Sequence, residues 1–191
     1  SRGLGDVYKR QPAHHRRIQA GILSWGQDLD HEHNPFQCNL GYQVSLSGKG
    51  EWEKKGDYIG KQALEKMKAD LKDGHKPYKL QLVGFEIGGK PIDEYAPDFW
   101  LVSPGDGGDP CGFITSPWYH PEKGKNIAMG YIPFDGTLNP NGFPKWELGK
   151  KFKVHLPDIY ADEPGVPVDA VTVDVPFTES FNANTREVVK G

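Results

Sequence analysis

The sequence predicts an α+β chain in which helix gives way to a mostly antiparallel C-terminal β-barrel. Two observations carry this. One amphipathic helix stands near residue 60, with Ile59, Ala63, Leu64, Met67 and Leu71 at helical spacing among lysines and glutamates. Everything after Lys79 then breaks into short β-rich runs, each bounded by Gly, Pro, Asn or Asp. Several short strands at that spacing suggest a small barrel or a sandwich.

Taken in order, 13–20 reads as the end of a helix, and Gly21 follows where a residue free to adopt positive φ is favoured. The glycine-punctuated run Gly21 to Asp30 reads as a structured loop, and Asn34-Pro35 as a turn. Leu40 to Leu46 alternates well enough to be expected as a strand. Ser47 to Gly56 is a charged loop, and Asp57 is the expected N-cap of the helix that Gly74 and Pro77 end. The expected barrel strands are Leu80 to Ile87, Phe99 to Val102, Cys111 to Thr115, Ile127 to Ile132, Lys151 to Leu156 and Val168 to Val175.

The first eleven residues stand apart. Ser1 to Gln11 is the codon-by-codon translation of a transposase-type sequencing-library adapter, and such segments are excluded from fold reasoning. The expectation is a coding sequence that continues upstream of Pro12. Those residues carry +2 (Arg2, Lys9 and Arg10 against Asp6), so the chain's net −3 becomes −5 without them. That balance argues against a nucleic-acid partner, which would favour a basic face. No apolar run approaches the ~20 residues of a membrane-spanning helix. Two cysteines, Cys38 and Cys111, are far apart and read as reduced thiols.

The candidate metal ligands are weak. His31 and His33 flank Glu32, but no third ligand follows at a zinc-like spacing. They read as exposed loop histidines, as do His14 and His15, and no metal site is expected. Gly105 to Gly108 lacks the helix that would make a phosphate cradle.

Four stretches in order resemble the glycine-cleavage T-protein (aminomethyltransferase) family, C-terminal portion. Arg17-Ile-Gln-Ala-Gly-Ile-Leu-Ser-Trp-Gly-Gln-Asp-Leu-Asp30 is similar to the family's R-(apolar)-E-x-G followed by Y-G-x-(D/E)-(apolar). Asn34-Pro35-Phe36 precedes Asp57-Tyr-Ile-Gly-Lys-Gln-Ala-Leu64, which is similar to D-F-I-G-(R/K)-x-A-L. Lys79-Leu-Gln-Leu-Val-Gly-Phe85 resembles the first strand of the family's barrel. Gly112-Phe-Ile-Thr-Ser116 through Ala128-Met129 resembles G-x-(I/V)-T-S and the I-A-(L/M) beyond it, and Val168 to Phe177 fits the last barrel strand.

The resemblance implies the end of a folate-binding α+β domain over 12–76, a β-barrel over 77–180 and a tail over 181–191. It implies transfer of a one-carbon unit from an amine or methylated substrate to tetrahydrofolate, in glycine cleavage or in demethylation. Relatives such as dimethylsulfoniopropionate demethylase share the pattern. Expected partners are a small-molecule methyl or aminomethyl donor and a lipoyl carrier protein; the expected location is cytoplasmic.

Arg17 matches a family arginine that helps to bind folate, and its planar fork suits a carboxylate or a polar ring edge. The plainer alternative is an ion pair at a helix end. Trp25 stands where the family usually has tyrosine; it can wall a ring but lacks the phenolic oxygen. Its alternative is core packing. Gln19 replaces a usual glutamate. Tyr119 is the third ligand-site candidate, with plain barrel surface as its alternative. No catalytic residue is named here, because the family's carboxylate and its pterin-binding glutamate are expected upstream, and this stretch alone is expected to be inactive. Two alternatives stand beside the transferase: a non-catalytic barrel that binds without turnover, and the C-terminal part of a flavin-linked demethylating dehydrogenase.

Overall fold

The computed structural model describes residues 14–44, 46 and 58–177. Its elements are a short helix over 14–19 (α1), a 3-10 turn at Gly41–Gln43, a helix at Lys61–Lys72 (α2), and six strands: β1 Leu80–Ile87, β2 Trp100–Pro104, β3 Gly112–His120, β4 Lys125–Pro133, β5 Lys151–Val154 and β6 Val168–Val173. The strands close into a barrel in the order β1-β4-β3-β2-β5-β6. The registers of β1 with β6, β2 with β3 and β5, β3 with β4, and β5 with β6 are all antiparallel. The expected mostly antiparallel barrel of an α+β chain is thus the observed fold.

The strands divide by how they are covered. β2, β5 and β6 alternate buried with more exposed residues, as strands with one wet face do. β3 and β4 are buried almost throughout, so their outer face is covered as well as their inner one. Two glycines permit the tight pairing there. A Cβ on Gly112 would collide with the Tyr131 carbonyl, and one on Gly130 would stand 2.5 Å from the Phe113 oxygen.

The chain divides into two compact units. One holds the described residues up to Asp30, Val83–Ile132 and those from Glu147; the other holds His31–Leu82 and Pro133–Trp146. In the second, Phe36, Leu71 and Phe134 form a buried core against which Leu64, Met67, Tyr78 and Phe143 pack. Leu64, Met67 and Leu71 share one face of α2, which is the stripe read from the sequence. The helix begins later than its apolar spacing implied. Gly60, at φ 90°, is its N-cap residue, and Ile59 lies outside it, fully exposed. Asp57 falls outside the described residues, as does the Ser47 to Gly56 loop. Gly74 ends the helix at φ 80°, its N–H on the Leu71 carbonyl at 3.2 Å.

Among the described residues of the expected strand at Leu40 to Leu46, no strand is formed. The chain turns at Asn39, which has φ 60°, and enters the 3-10 turn, with Val44 N–H on the Gly41 carbonyl. Gly41 lies so close to the Phe36 and Phe143 rings that a Cβ would stand 2.8 and 2.9 Å from them. Local packing overrides the alternation, and Tyr42 points into solvent.

Candidate functional site

The covered face of β3 and β4 is where the sequence motifs meet. Helix α1 lies along β3, with three residues of one facing three of the other. Arg17 faces Ser116, His14 stacks on Trp118 at 6.2 Å, and His15 meets His120 edge-on at 5.6 Å. Ser116, Trp118 and His120 alternate along one side of the strand. After α1 the chain reverses at Gly21, whose φ of 68° and close approach to the Val175 side chain suit a residue without Cβ.

The loop that follows is a tight, internally bonded turn. Asp28 N–H donates to the Ser24 carbonyl at 2.8 Å, and Gly26 N–H to that of Leu29 at 2.8 Å. Ser24 N–H donates to Asp28 Oδ2 at 2.8 Å. Trp25 sits in this turn with 69% of its surface exposed.

Asp28 is the node of the arrangement. Its side chain has no exposure, so its charge needs partners. It has four: Arg17 Nη1 at 2.8 Å and Ser24 N on Oδ2, Thr115 Oγ1 at 2.6 Å and Ser116 Oγ at 2.5 Å on Oδ1. Its carbonyl accepts from the Tyr131 hydroxyl at 2.6 Å. Successive strand residues normally point to opposite faces, so two adjacent hydroxyls on one carboxylate call for an explanation. The β3–β4 register slips between Ile114 and Ser116, making Thr115 an extra residue, and such a bulge re-aims a side chain.

Arg17 is saturated. Its Nε donates to His14 Nδ1 (3.3 Å), Nη1 to the Ile22 carbonyl (3.3 Å) and Asp28, and Nη2 to Gln27 Oε1 (3.0 Å) and Ser116 Oγ (2.9 Å). A guanidinium has five N–H donors, and each has a protein acceptor. Gln27 completes the attachment, donating through Nε2 to the Thr115 carbonyl at 2.8 Å.

Of the three residues singled out in the sequence, Arg17 and Trp25 belong to this arrangement. Tyr119 does not share it. By alternation it faces away from Ser116, Trp118 and His120, it is half-buried, and its N–H bonds the Ile92 carbonyl at 2.8 Å. Asp28, Thr115, Ser116, Gln27 and Tyr131 were not singled out. The signal for the first three lay in the two motifs: Asp28 fills the (D/E) position of one, and Thr115-Ser116 is the T-S of the other.

His14 and His15 are not loop residues, since both lie in α1 against β3. Burial lowers the pKa of His15, helped by His120 and Arg16 and opposed by Glu122. Burial likewise lowers that of His120, against the raising influence of Glu122 and Glu86. Both are therefore held toward the neutral imidazole. Among the described residues no cluster of three or more His, Cys, Asp or Glu could hold a metal ion. No described helix is long and apolar enough to cross a membrane. Neither Cys38 nor Cys111 is joined in a disulfide. Ser103 Oγ lies 2.8 Å from His155 Nε2 on the β2–β5 side, a hydroxyl–imidazole pair on an exposed histidine.

No family model matches the chain. An aminomethyltransferase from a Synechocystis species is 32% identical over 117 residues, covering 61% of this chain and 27% of that protein. One from Thermosynechococcus vestitus is 29% identical over 162 residues, covering 84% of this chain and 35% of that protein. The chain thus spans about a quarter to a third of the length of these relatives. Among solved structures, the glycine cleavage system aminomethyltransferase T from Bartonella henselae aligns with TM-score 0.60 at 20% identity, over 86% of this chain and 37% of that one. At that identity the likeness is one of fold. The chain is similar in sequence to aminomethyltransferases and shares its barrel fold with a glycine cleavage T-protein structure.

Proposed function

We propose that this chain is the C-terminal portion of a T-protein family enzyme, a tetrahydrofolate-dependent aminomethyl/methyltransferase. The parent would move a one-carbon unit from an amine or a methylated substrate to tetrahydrofolate, in glycine cleavage with a lipoyl carrier protein, or in demethylation. The observation that carries this reading is the meeting of two motifs on Asp28: the loop carrying Trp25 and the Thr115-Ser116 pair of β3 are bound through one buried carboxylate. Similarity to curated aminomethyltransferases over the same stretch supports it.

The fit to tetrahydrofolate is good at one point and absent at another. A flat pterin needs an apolar wall, and Trp25 offers an exposed indole on a turn with little freedom. A glutamate tail needs a free cation, and the Arg17 donors are already taken. The described residues therefore hold and orient; none is assigned to the chemical step, which belongs to a carboxylate beside the departing amine elsewhere in the parent.

The test is a tetrahydrofolate titration on the protein expressed from its intact reading frame, followed by turnover with candidate one-carbon donors. Saturable binding and donor-dependent formation of a one-carbon tetrahydrofolate are expected. A well-folded protein that binds no tetrahydrofolate would overturn this reading and leave a non-catalytic barrel module as the account.

A further inference from the structure

We infer that Arg17 serves this site as a strut rather than as a ligand contact: with Asp28 it fixes the 22–30 turn on β3 and so aims the Trp25 indole, which does the recognising. The inference rests on the reading of the site as one for a reduced pterin. It starts from donor saturation. An arginine that grips an incoming carboxylate keeps a pair of parallel N–H groups for it. Arg17 has none to spare, and its side chain is only 15% exposed. Recruiting it would strip a buried, fully desolvated Asp28 of its only cationic partner among the described residues.

The acceptors show what the guanidinium holds instead. Ile22, Gln27 and Asp28 lie in the turn, Ser116 is on β3, and His14 is on the helix of Arg17 itself. One planar group thus ties three segments together. Asp28 ties the same segments from the other side, through Ser24 in the turn and Thr115 and Ser116 on the strand. Trp25 lies between Ser24 and Gly26, inside the loop so fixed, and contributes the large exposed aromatic surface. An exposed indole on a rigid support suits stacking against a flat ring, because the ordering cost is met before the ligand arrives.

A ligand contact and a strut differ in what they do to two probes. Tetrahydrofolate carries the glutamate tail; 6-methyltetrahydropterin has the ring without it. If Arg17 gripped the tail, Arg17→Lys would weaken the first and spare the second. If Arg17 is a strut, Arg17→Lys and Asp28→Asn each weaken both probes by the same factor, roughly tenfold for loss of a charge-assisted bond. The double variant is then no worse than the poorer single one, because the pair acts as a unit. Ser116→Ala, a gentler lesion in the same network, follows the same pattern to a smaller extent. Phe85→Leu, which loosens the barrel core, leaves both affinities unchanged.

Loss for tetrahydrofolate alone, no loss for either probe, or equal loss in Phe85→Leu would each overturn the proposal. Should the unaltered protein bind neither probe, the pterin reading fails, and amide exchange still judges the strut. Exchange at Gly26 and Asp28 that accelerates at least about tenfold in Asp28→Asn, with Val83 in β1 unchanged, sustains it; unchanged exchange in the turn removes it.

Discussion

Ser116 Oγ donates to Asp28 Oδ1 across 2.5 Å, joining residues 88 positions apart in the chain. The same hydroxyl accepts from Arg17 Nη2, so a single serine touches both members of the buried ion pair. This contact makes the bulge at Thr115 functional: without the extra residue, one of the two hydroxyls would face away from the carboxylate.

Asp28→Ala is expected to be among the costliest single substitutions in the chain. It strands the Arg17 guanidinium, which is largely buried, and takes an acceptor from Ser24 N, Thr115 and Ser116. Breaking a buried pair from one side costs about 3–5 kcal/mol. Urea unfolding of the two proteins reads this as a shift in midpoint at constant slope. A loss below about 1 kcal/mol would show that water replaces the pair freely.

Gly112→Ala tests how tightly β3 and β4 meet. The added methyl would overlap the Tyr131 carbonyl, which is backbone and cannot rotate aside. Overpacking of this kind costs about 1–3 kcal/mol. Because Tyr131 also holds the Asp28 carbonyl, the damage extends to the turn, and Trp25 emission is expected to change along with the melting temperature. A melt and spectrum identical to the unaltered protein would show that the strands separate without cost.

Much of this fold was legible in sequence because its strands are short and punctuated. All six were placed, with ends shifted by a few residues; β3 was the most underestimated, since Pro117 masks its continuation to His120. The strand expected at Leu40 to Leu46 failed because alternation is a weak signal beside a glycine pressed onto two phenylalanines. For the site, the two motifs were visible, but nothing local in either states that they meet. Asp28 looks like a loop carboxylate until Thr115 and Ser116 arrive from far along the chain. Donor saturation of Arg17 is likewise a property of the packed turn, invisible in a string of residue types.

Trp25→Ala separates recognition from stability. The indole is 69% exposed, and surface changes away from special features stay within about 0.5 kcal/mol. Stacking of a flat base on an aromatic side chain is worth about 1–3 kcal/mol. Tetrahydrofolate binding is therefore expected to weaken roughly tenfold or more while the melting temperature stays put. Calorimetric titration beside a thermal melt checks both. Unchanged affinity would remove Trp25 from the site.

The histidine pair predicts acid sensitivity with a definite sign. Burial lowers the pKa of His15 and His120; His120 and Arg16 lower that of His15 further, and Lys123 that of His120, while Glu122 opposes both and Glu86 opposes the second, each only in part. Folded protein therefore binds these protons less readily than the unfolded chain, whose histidines titrate at about 6.5. Stability is full above that pH and falls as the pH drops below it, before the carboxylates protonate. Since His15 is two residues from Arg17 on the same helix, the turn should loosen over the same range. Urea midpoints from pH 8 to 5 are expected to decline, with His120→Gln flattening the decline. A midpoint independent of pH across that window would mean that the pair takes up protons without leaving its place on β3.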